Sequence, residues 1–175
     1  MRVLVTFASK HGSTHEIAEA IATALRAEDF TVDLKDAADV KAVAGYYDAV
    51  IFGSAIYAGS WLPAAKQLAE QQHAALAALP VWLFSSGPIG AENPQPHDDP
   101  ALLAAPLGEI NVRDHHVFVG KLDIGELGFA ERLISKALRA PEGDFRNWGD
   151  VRTWARGIAA ELQSQAVRPV PNTGK

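Results

Sequence analysis

The sequence predicts an α/β domain in which a parallel sheet of five strands is covered by helices on both faces. Three observations predict it. Strand-like and helix-like segments alternate along the chain. Val3 to Phe7, Ala49 to Phe52 and Pro80 to Phe84 are apolar on both faces, as in a sheet that is buried twice over. Small residues close each of these runs: Ala8-Ser9, Gly53-Ser54 and Ser85-Ser86-Gly87.

Taken in order, Val3 to Phe7 reads as a buried strand. Ser13 to Ala27 has helical spacing, with Ile17, Ile21, Ala24 and Leu25 on one face. Phe30 to Lys35 alternates apolar and polar residues, which predicts a strand with one wet face at a sheet edge. Ala49 to Phe52 is the third strand. A helix is expected over Leu62 to Leu76, with Pro63 in its first turn, where no backbone donor is needed. Pro80 to Phe84 is the fourth strand, and Gly87 to Asp98 reads as a loop. Asp99-Pro100 has the form of a helix cap, opening a short helix to about Ala105. His116 to Val119 is the fifth strand. Between Lys121 and Arg146 the chain is longer than a direct link requires, and Phe129 to Arg139 within it is helical in pattern. A last helix is expected over Trp148 to Gln163, capped by Asn147 or Asp144, with Trp148, Val151, Trp154, Ile158 and Leu162 as its buried stripe. One domain over residues 1–165 is expected, followed by a disordered tail at 166–175.

Composition bounds the chemistry. The chain has 175 residues, enough for one core of ordinary size. Its net charge of -5 argues against nucleic acid as a partner, because phosphate backbones need a basic footprint. There is no cysteine, which removes disulfides, thiolate nucleophiles, iron–sulfur clusters and Cys-ligated zinc together. Any redox chemistry must therefore be carried by a bound organic cofactor. The N-terminus runs straight into a strand, so no signal peptide is expected, and no apolar run reaches the roughly 18 residues of a membrane span. A cytoplasmic location is expected.

Doubly wound sheets bind ligands beyond the carboxyl ends of their strands. Three segments lie there: Ala8 to Thr14, Ser54 to Trp61 and Ser85 to Glu92. The first joins a strand to a helix N-terminus, whose unpaired backbone donors and dipole favour an anion. Ser9, Ser13 and Thr14 add hydroxyls, Lys10 and His11 lie between them, and Gly12 allows close backbone approach. Ser13 also reads as a helix cap, with Glu16 completing a capping box. That accounts for Ser13 and Glu16 but not for three hydroxyls and a glycine within six residues. Neither G-x-x-x-x-G-K-[ST] nor G-x-G-x-x-G is present. The loop therefore suits a terminal phosphate monoester such as that of FMN. No side chain stands out as a catalytic acid or base. His115-His116 carries little weight as a metal site, since neither has a further ligand at metal spacing.

Thr6-Phe7-Ala8-Ser9-Lys10-His11-Gly12-Ser13-Thr14 resembles the phosphate loop of flavodoxins. Gly53-Ser54-Ala55-Ile56-Tyr57-Ala58-Gly59-Ser60-Trp61 looks like the second loop of the flavodoxin-like, quinone-dependent protoporphyrinogen oxidases and their uncharacterised bacterial relatives. Asp144-Phe145-Arg146-Asn147-Trp148 resembles the start of that group's last helix. The resemblance implies a flavodoxin-like strand order 2-1-3-4-5 and FMN as cofactor. It implies that Ser9, Lys10, His11, Gly12, Ser13 and Thr14 hold the phosphate. It implies that Ser54, Ala55, Ile56, Tyr57, Ala58 and Gly59, with Ser85, Ser86, Gly87, Pro88, Ile89 and Gly90, flank the flavin ring, and that Tyr57 or Trp61 covers it. The flavin rather than a side chain would carry the electrons.

Two main function classes follow, with a non-catalytic FMN-binding or regulatory module as a third. One is an FMN-dependent oxidoreductase, with protoporphyrinogen oxidation by a quinone acceptor as the form the resemblance implies. The other is an electron-transfer protein that docks with partner redox proteins. Such carriers are usually strongly acidic, and the mild charge here leans toward the enzyme. The oxidase group carries a longer, membrane-linked insertion after its fifth strand. Phe129 to Arg139 is the shorter counterpart here and reads first as a helix packed on the domain with a solvated basic face, with peripheral membrane contact as the alternative.

Overall fold

The computed structural model describes residues 1–57, 59–87, 110–123, 125, 128 and 142–166. In chain order the elements are β1 (Arg2–Ala8), α1 (Ser13–Arg26), β2 (Thr31–Asp36), β3 (Ala49–Tyr57), β4 (Ser60–Trp61), α2 (Pro63–Gln71), α3 (His73–Ala77), β5 (Val81–Ser86), β6 (Val112–Phe118), β7 (Lys121–Leu122), β8 (Gly143–Asp144) and α4 (Trp148–Ala166). Strands β2, β1, β3, β5 and β6 lie side by side in that order and pair in parallel. This is the expected 2-1-3-4-5 order, with the two-residue β4 added as an antiparallel partner of β3.

The sheet divides the core in two. Val3, Val5, Phe7, Ile51, Trp82 and Phe84 face α1 and α4, which contribute Ile17, Ile21, Leu25, Val151, Ile158 and Leu162. Leu4, Val50, Phe52, Val81 and Leu83 face α2 and α3, which contribute Ala65, Leu68 and Leu76. The alternation of side chains along each strand sends successive residues to opposite layers, so a continuous apolar run is needed to fill both. Gly53 is required by this packing: a Cβ there would enter the ring of Phe84 on the neighbouring strand.

Several boundaries differ from those the sequence predicts, each for a tertiary reason. Strand β3 continues through Ser54, Ala55, Ile56 and Tyr57, and β5 through Ser85 and Ser86, so much of the second and third predicted loops is strand. The helix expected over Leu62 to Leu76 is broken at Gln72. There the side chain accepts from the Val43 N–H at 3.1 Å and donates to the Lys41 carbonyl at 3.4 Å. Strand β6 begins at Val112 rather than His116. Its polar start is satisfied from outside: Asp114 accepts from the Trp154 indole at 2.6 Å and His116 meets Asp150 at 3.0 Å. The last helix starts at Trp148 as expected and runs to Ala166. Asn147 caps it, accepting from the Gly149 and Asp150 N–H groups. Asp144 instead accepts from the Arg146 N–H.

Ala58, Pro88, Ile89 and Gly90, the helix expected from Asp99, the helix expected over Phe129 to Arg139, and residues 167–175 of the expected tail lie outside the described residues. Among the described residues, no helix is long and apolar enough to cross a membrane.

Gly53→Ala is expected to cost about 1–3 kcal/mol through overpacking against Phe84. Urea denaturation would show it as a lower midpoint with an unchanged slope; an unaltered midpoint would contradict the packing described.

Candidate functional site

The register of the sheet brings the strand ends level. Ala8 pairs with Ser54 and Ser54 with Ser85, so β1, β3 and β5 release the chain at one edge. From Ala8 the chain reaches the first turn of α1 within four residues, 9–12. Gly12 makes the turn with φ +79°, a left-handed conformation that favours glycine. A Cβ there would meet nothing within 4 Å, so the backbone angle and not lack of space selects glycine.

Gly12 is also the N-cap of α1, and no side chain caps that end. The capping box expected from Ser13 and Glu16 is therefore not formed. Ser13 lies one position inside the helix, and the Glu16 carboxylate is paired with Arg146 at 2.8 Å. The Oγ atoms of Ser9 and Ser13 are buried with no hydrogen-bond partner among the described residues. Thr14 is 1% exposed. Two buried hydroxyls without a partner among the described residues thus lie beside the uncapped N-terminus of a 14-residue helix, where backbone donors and the helix dipole favour an anion.

The three expected segments do converge. The Lys10 Nζ lies 5.0 Å from the centroid of the Tyr57 ring, and the His11 ring 6.3 Å from it, joining the first segment to the second. Ile56 packs directly on Gly87, where a Cβ would come within 2.7 Å of the Ile56 Cβ, joining the second to the third. The Gly87 N–H donates to the Phe118 carbonyl at 3.2 Å. Tyr57 is 37% exposed at the end of β3. Gly59 turns the chain into β4 at φ +73°.

Trp61 is different. It is 2% exposed, stands edge-on to Phe52, and donates its indole N–H to Ser85 Oγ at 2.8 Å. Ser85 Oγ also lies 2.8 Å from His115 Nε2. Trp61 is core, and of the two aromatics expected to cover a ring only Tyr57 lies at the surface. The hydroxyls of Ser54 and Ser85 are likewise turned inward: Ser54 Oγ donates to the Ala55 carbonyl and accepts from the Leu62 N–H. Ser86 is buried at the last position of β5. Among the described residues, no group of three or more His, Asp or Glu side chains could hold a metal ion.

Sequence reasoning did not assign a role to Arg146. Its guanidinium grips Asp144 through two nitrogens, at 2.8 and 2.7 Å, and reaches Glu16 and the Ser13 carbonyl. A hydrogen bond from Arg146, together with its charge, outweighs the opposing effect of burial and holds the Asp144 carboxyl below its usual range. A surface groove of about 570 Å³ between α1 and α4 touches Glu16 and Trp148 but none of Ser9, Gly12 or Tyr57, so it is separate from this site.

Comparison with known proteins agrees with the geometry. The family described as "Flavodoxin domain" matches residues 4–147. A search of curated proteins finds no match. Among solved structures, an archaeal flavodoxin superposes with a TM-score of 0.63 at 18% identity, covering 93% of this chain and 99% of that one. A flavodoxin of Streptococcus pneumoniae TIGR4 gives 0.61 at 17% identity, covering 94% and 99%. Rubredoxin oxygen:oxidoreductase from Desulfovibrio gigas gives 0.65 at 18% identity; the match covers 95% of this chain but spans only 37% of that protein.

Two outcomes follow. A buried hydroxyl without a partner is costly, so Ser13→Ala is expected to leave the ligand-free protein unchanged or more stable by about 1 kcal/mol. Chemical denaturation would detect it, and a marked loss would mean that the hydroxyl has a partner in the native state. Because the Asp144 carboxyl is lowered in the folded protein, its contribution is present at neutral pH and is lost as pH falls through the folded value, below about 4. Asp144→Asn should lower stability at neutral pH and shrink the difference from wild type in acid; a constant difference across that range would contradict it.

Proposed function

Because the chain belongs to the flavodoxin domain family, for which FMN is the implied cofactor, we propose that its 9–14 loop holds the FMN phosphate and that the protein works as an FMN-dependent oxidoreductase. The observation that carries the reading is the pair of buried, unpartnered hydroxyls, Ser9 and Ser13, beside the uncapped end of α1. Those residues fit the group: a phosphate monoester accepts from hydroxyls and from open helix N–H donors.

In this reading Ser9, Ser13 and Thr14 donate to the phosphate, with backbone N–H groups of Gly12 and Ser13. Lys10 and His11 add nearby positive or polar character. The backbone of residues 55–59 and 86–90 borders the flavin ring, and Tyr57 covers one side of it. Bound FMN would supply the one- or two-electron chemistry that a chain without cysteine lacks. The Trp61–Ser85–His115 chain of hydrogen bonds ties β4, β5 and β6 together. It positions the segments and does not itself touch the ligand.

The organic substrate is proposed as a two-electron partner such as a quinone, with a porphyrinogen as donor, which the second-loop motif supports. A second reading, an electron carrier serving partner redox proteins, is favoured by the chain's match to 99% of the archaeal flavodoxin. The purified protein should show flavin absorption bands, or quench FMN fluorescence on titration. Ser9→Ala combined with Ser13→Ala should weaken FMN binding at least about tenfold, the loss of two charge-assisted hydrogen bonds. Absence of FMN binding by wild type would end the proposal. Steady turnover with a quinone acceptor supports the enzyme. Failure with quinones, alongside rapid electron exchange with a partner redox protein, supports the carrier.

A further inference from the structure

We propose that Arg146 is a positioning residue for the cofactor's phosphate: it neutralises the Glu16 carboxylate beside the 9–14 loop and fixes the Ser13 carbonyl, so that the loop accepts a dianion. This rests on the FMN reading above.

Arg146 lies 133 residues from Ser13 in sequence, yet its Nη1 donates to the Ser13 carbonyl at 3.3 Å. Nη2 bridges Glu16 Oε2 at 2.8 Å and Asp144 Oδ2 at 2.7 Å, while Nε donates to Asp144 Oδ1 at 2.8 Å. The side chain is 3% exposed and stacks on the Trp148 ring, with its central carbon 4.5 Å from the centroid. A planar guanidinium held at so many points has one position available.

The charge arithmetic gives this a purpose. Glu16 stands in the first turn of α1. A carboxylate there stabilises an empty helix end, but it repels a phosphate arriving at the same end. Arg146 is the cation on that carboxylate and on Asp144 together, so it offsets one of their two negative charges. Without it, a phosphate at residues 9–14 would face an uncompensated negative charge one helical turn away. The uncharged remainder of a flavin would not feel this. The tie to Ser13 acts in the same direction, since it orients the first peptide of the helix. Asp144 secures the far side of the guanidinium from β8, which pairs with β7. The base of the segment between β7 and β8 thus braces the phosphate loop.

The test compares FMN with riboflavin, which lacks the phosphate, by fluorescence titration of the full-length protein. Wild type should bind FMN more tightly. Arg146→Met should weaken FMN about tenfold or more while changing riboflavin less than about threefold. Adding Glu16→Gln to that variant should recover most of the lost FMN affinity. Glu16→Gln alone, at a side chain 47% exposed, should tighten FMN about threefold, leave riboflavin unchanged and steepen the salt dependence. That single variant keeps the test valid if circular dichroism shows Arg146→Met unfolded. Equal losses for both flavins, no recovery in the double variant, or an unchanged FMN affinity in Glu16→Gln would overturn the assignment. Failure of wild type to bind either flavin would instead count against the FMN reading itself.

Discussion

The turn that carries the chain from β1 into α1 is the constraint on which the rest depends. Strand β1 sits inside the sheet, between β2 and β3, and apart from Arg2 and the buried Thr6 it is apolar on both faces. A polar group along its buried length is costly, so binding groups gather more readily at its end. Four residues then reverse the chain, and the helix that follows opens with donors that its own backbone cannot use. A left-handed glycine makes so short a reversal possible. The neighbouring strands deliver their carboxyl ends to the same edge because register is set by the buried faces, and a slip of one residue would turn each face inside out.

Much of this could be read from the residues. The continuous apolar strands, the serine-rich first loop and the stripe of α4 each express a local rule, and the structure places them as those rules require. The edge position of β2 followed from its alternation. So did the convergence of three strand ends, because it depends only on topology. What stayed hidden depends on distant partners. Gln72 breaks a helix whose propensity gives no reason to break, because its side chain holds the 41–43 backbone. Residues 112–115 do not read as strand, because their run of polar side chains lacks an apolar face, and what ties them down is remote: Asp114 to Trp154 and His115 to Ser85. The capping-box pattern of Ser13 and Glu16 goes unused because the left-handed Gly12 takes the N-cap, and Glu16 pairs instead with the remote Arg146.

The same contrast separates the two aromatics. Tyr57 and Trp61 lie four residues apart on one hairpin, and sequence offers little to tell them apart. The antiparallel return from β3 to β4 decides it. Tyr57 ends the strand and remains at the surface, whereas Trp61 is folded back over Phe52 and finds a hydroxyl for its indole. A buried indole needs such a partner, and Ser85 supplies it at the price of its own availability to a ligand.

The pairing of Lys121 with Asp144 and of Leu122 with Gly143 has an evolutionary reading. Two short strands bring the ends of a stretch of some twenty residues side by side, outside the main sheet. The entropy of closing a loop grows only slowly with its length once its ends are held. Descendants of this chain are free to lengthen, shorten or exchange what lies between those strands while the parallel sheet folds as before. The hairpin is a graft point, at which a common scaffold acquires a different outer surface.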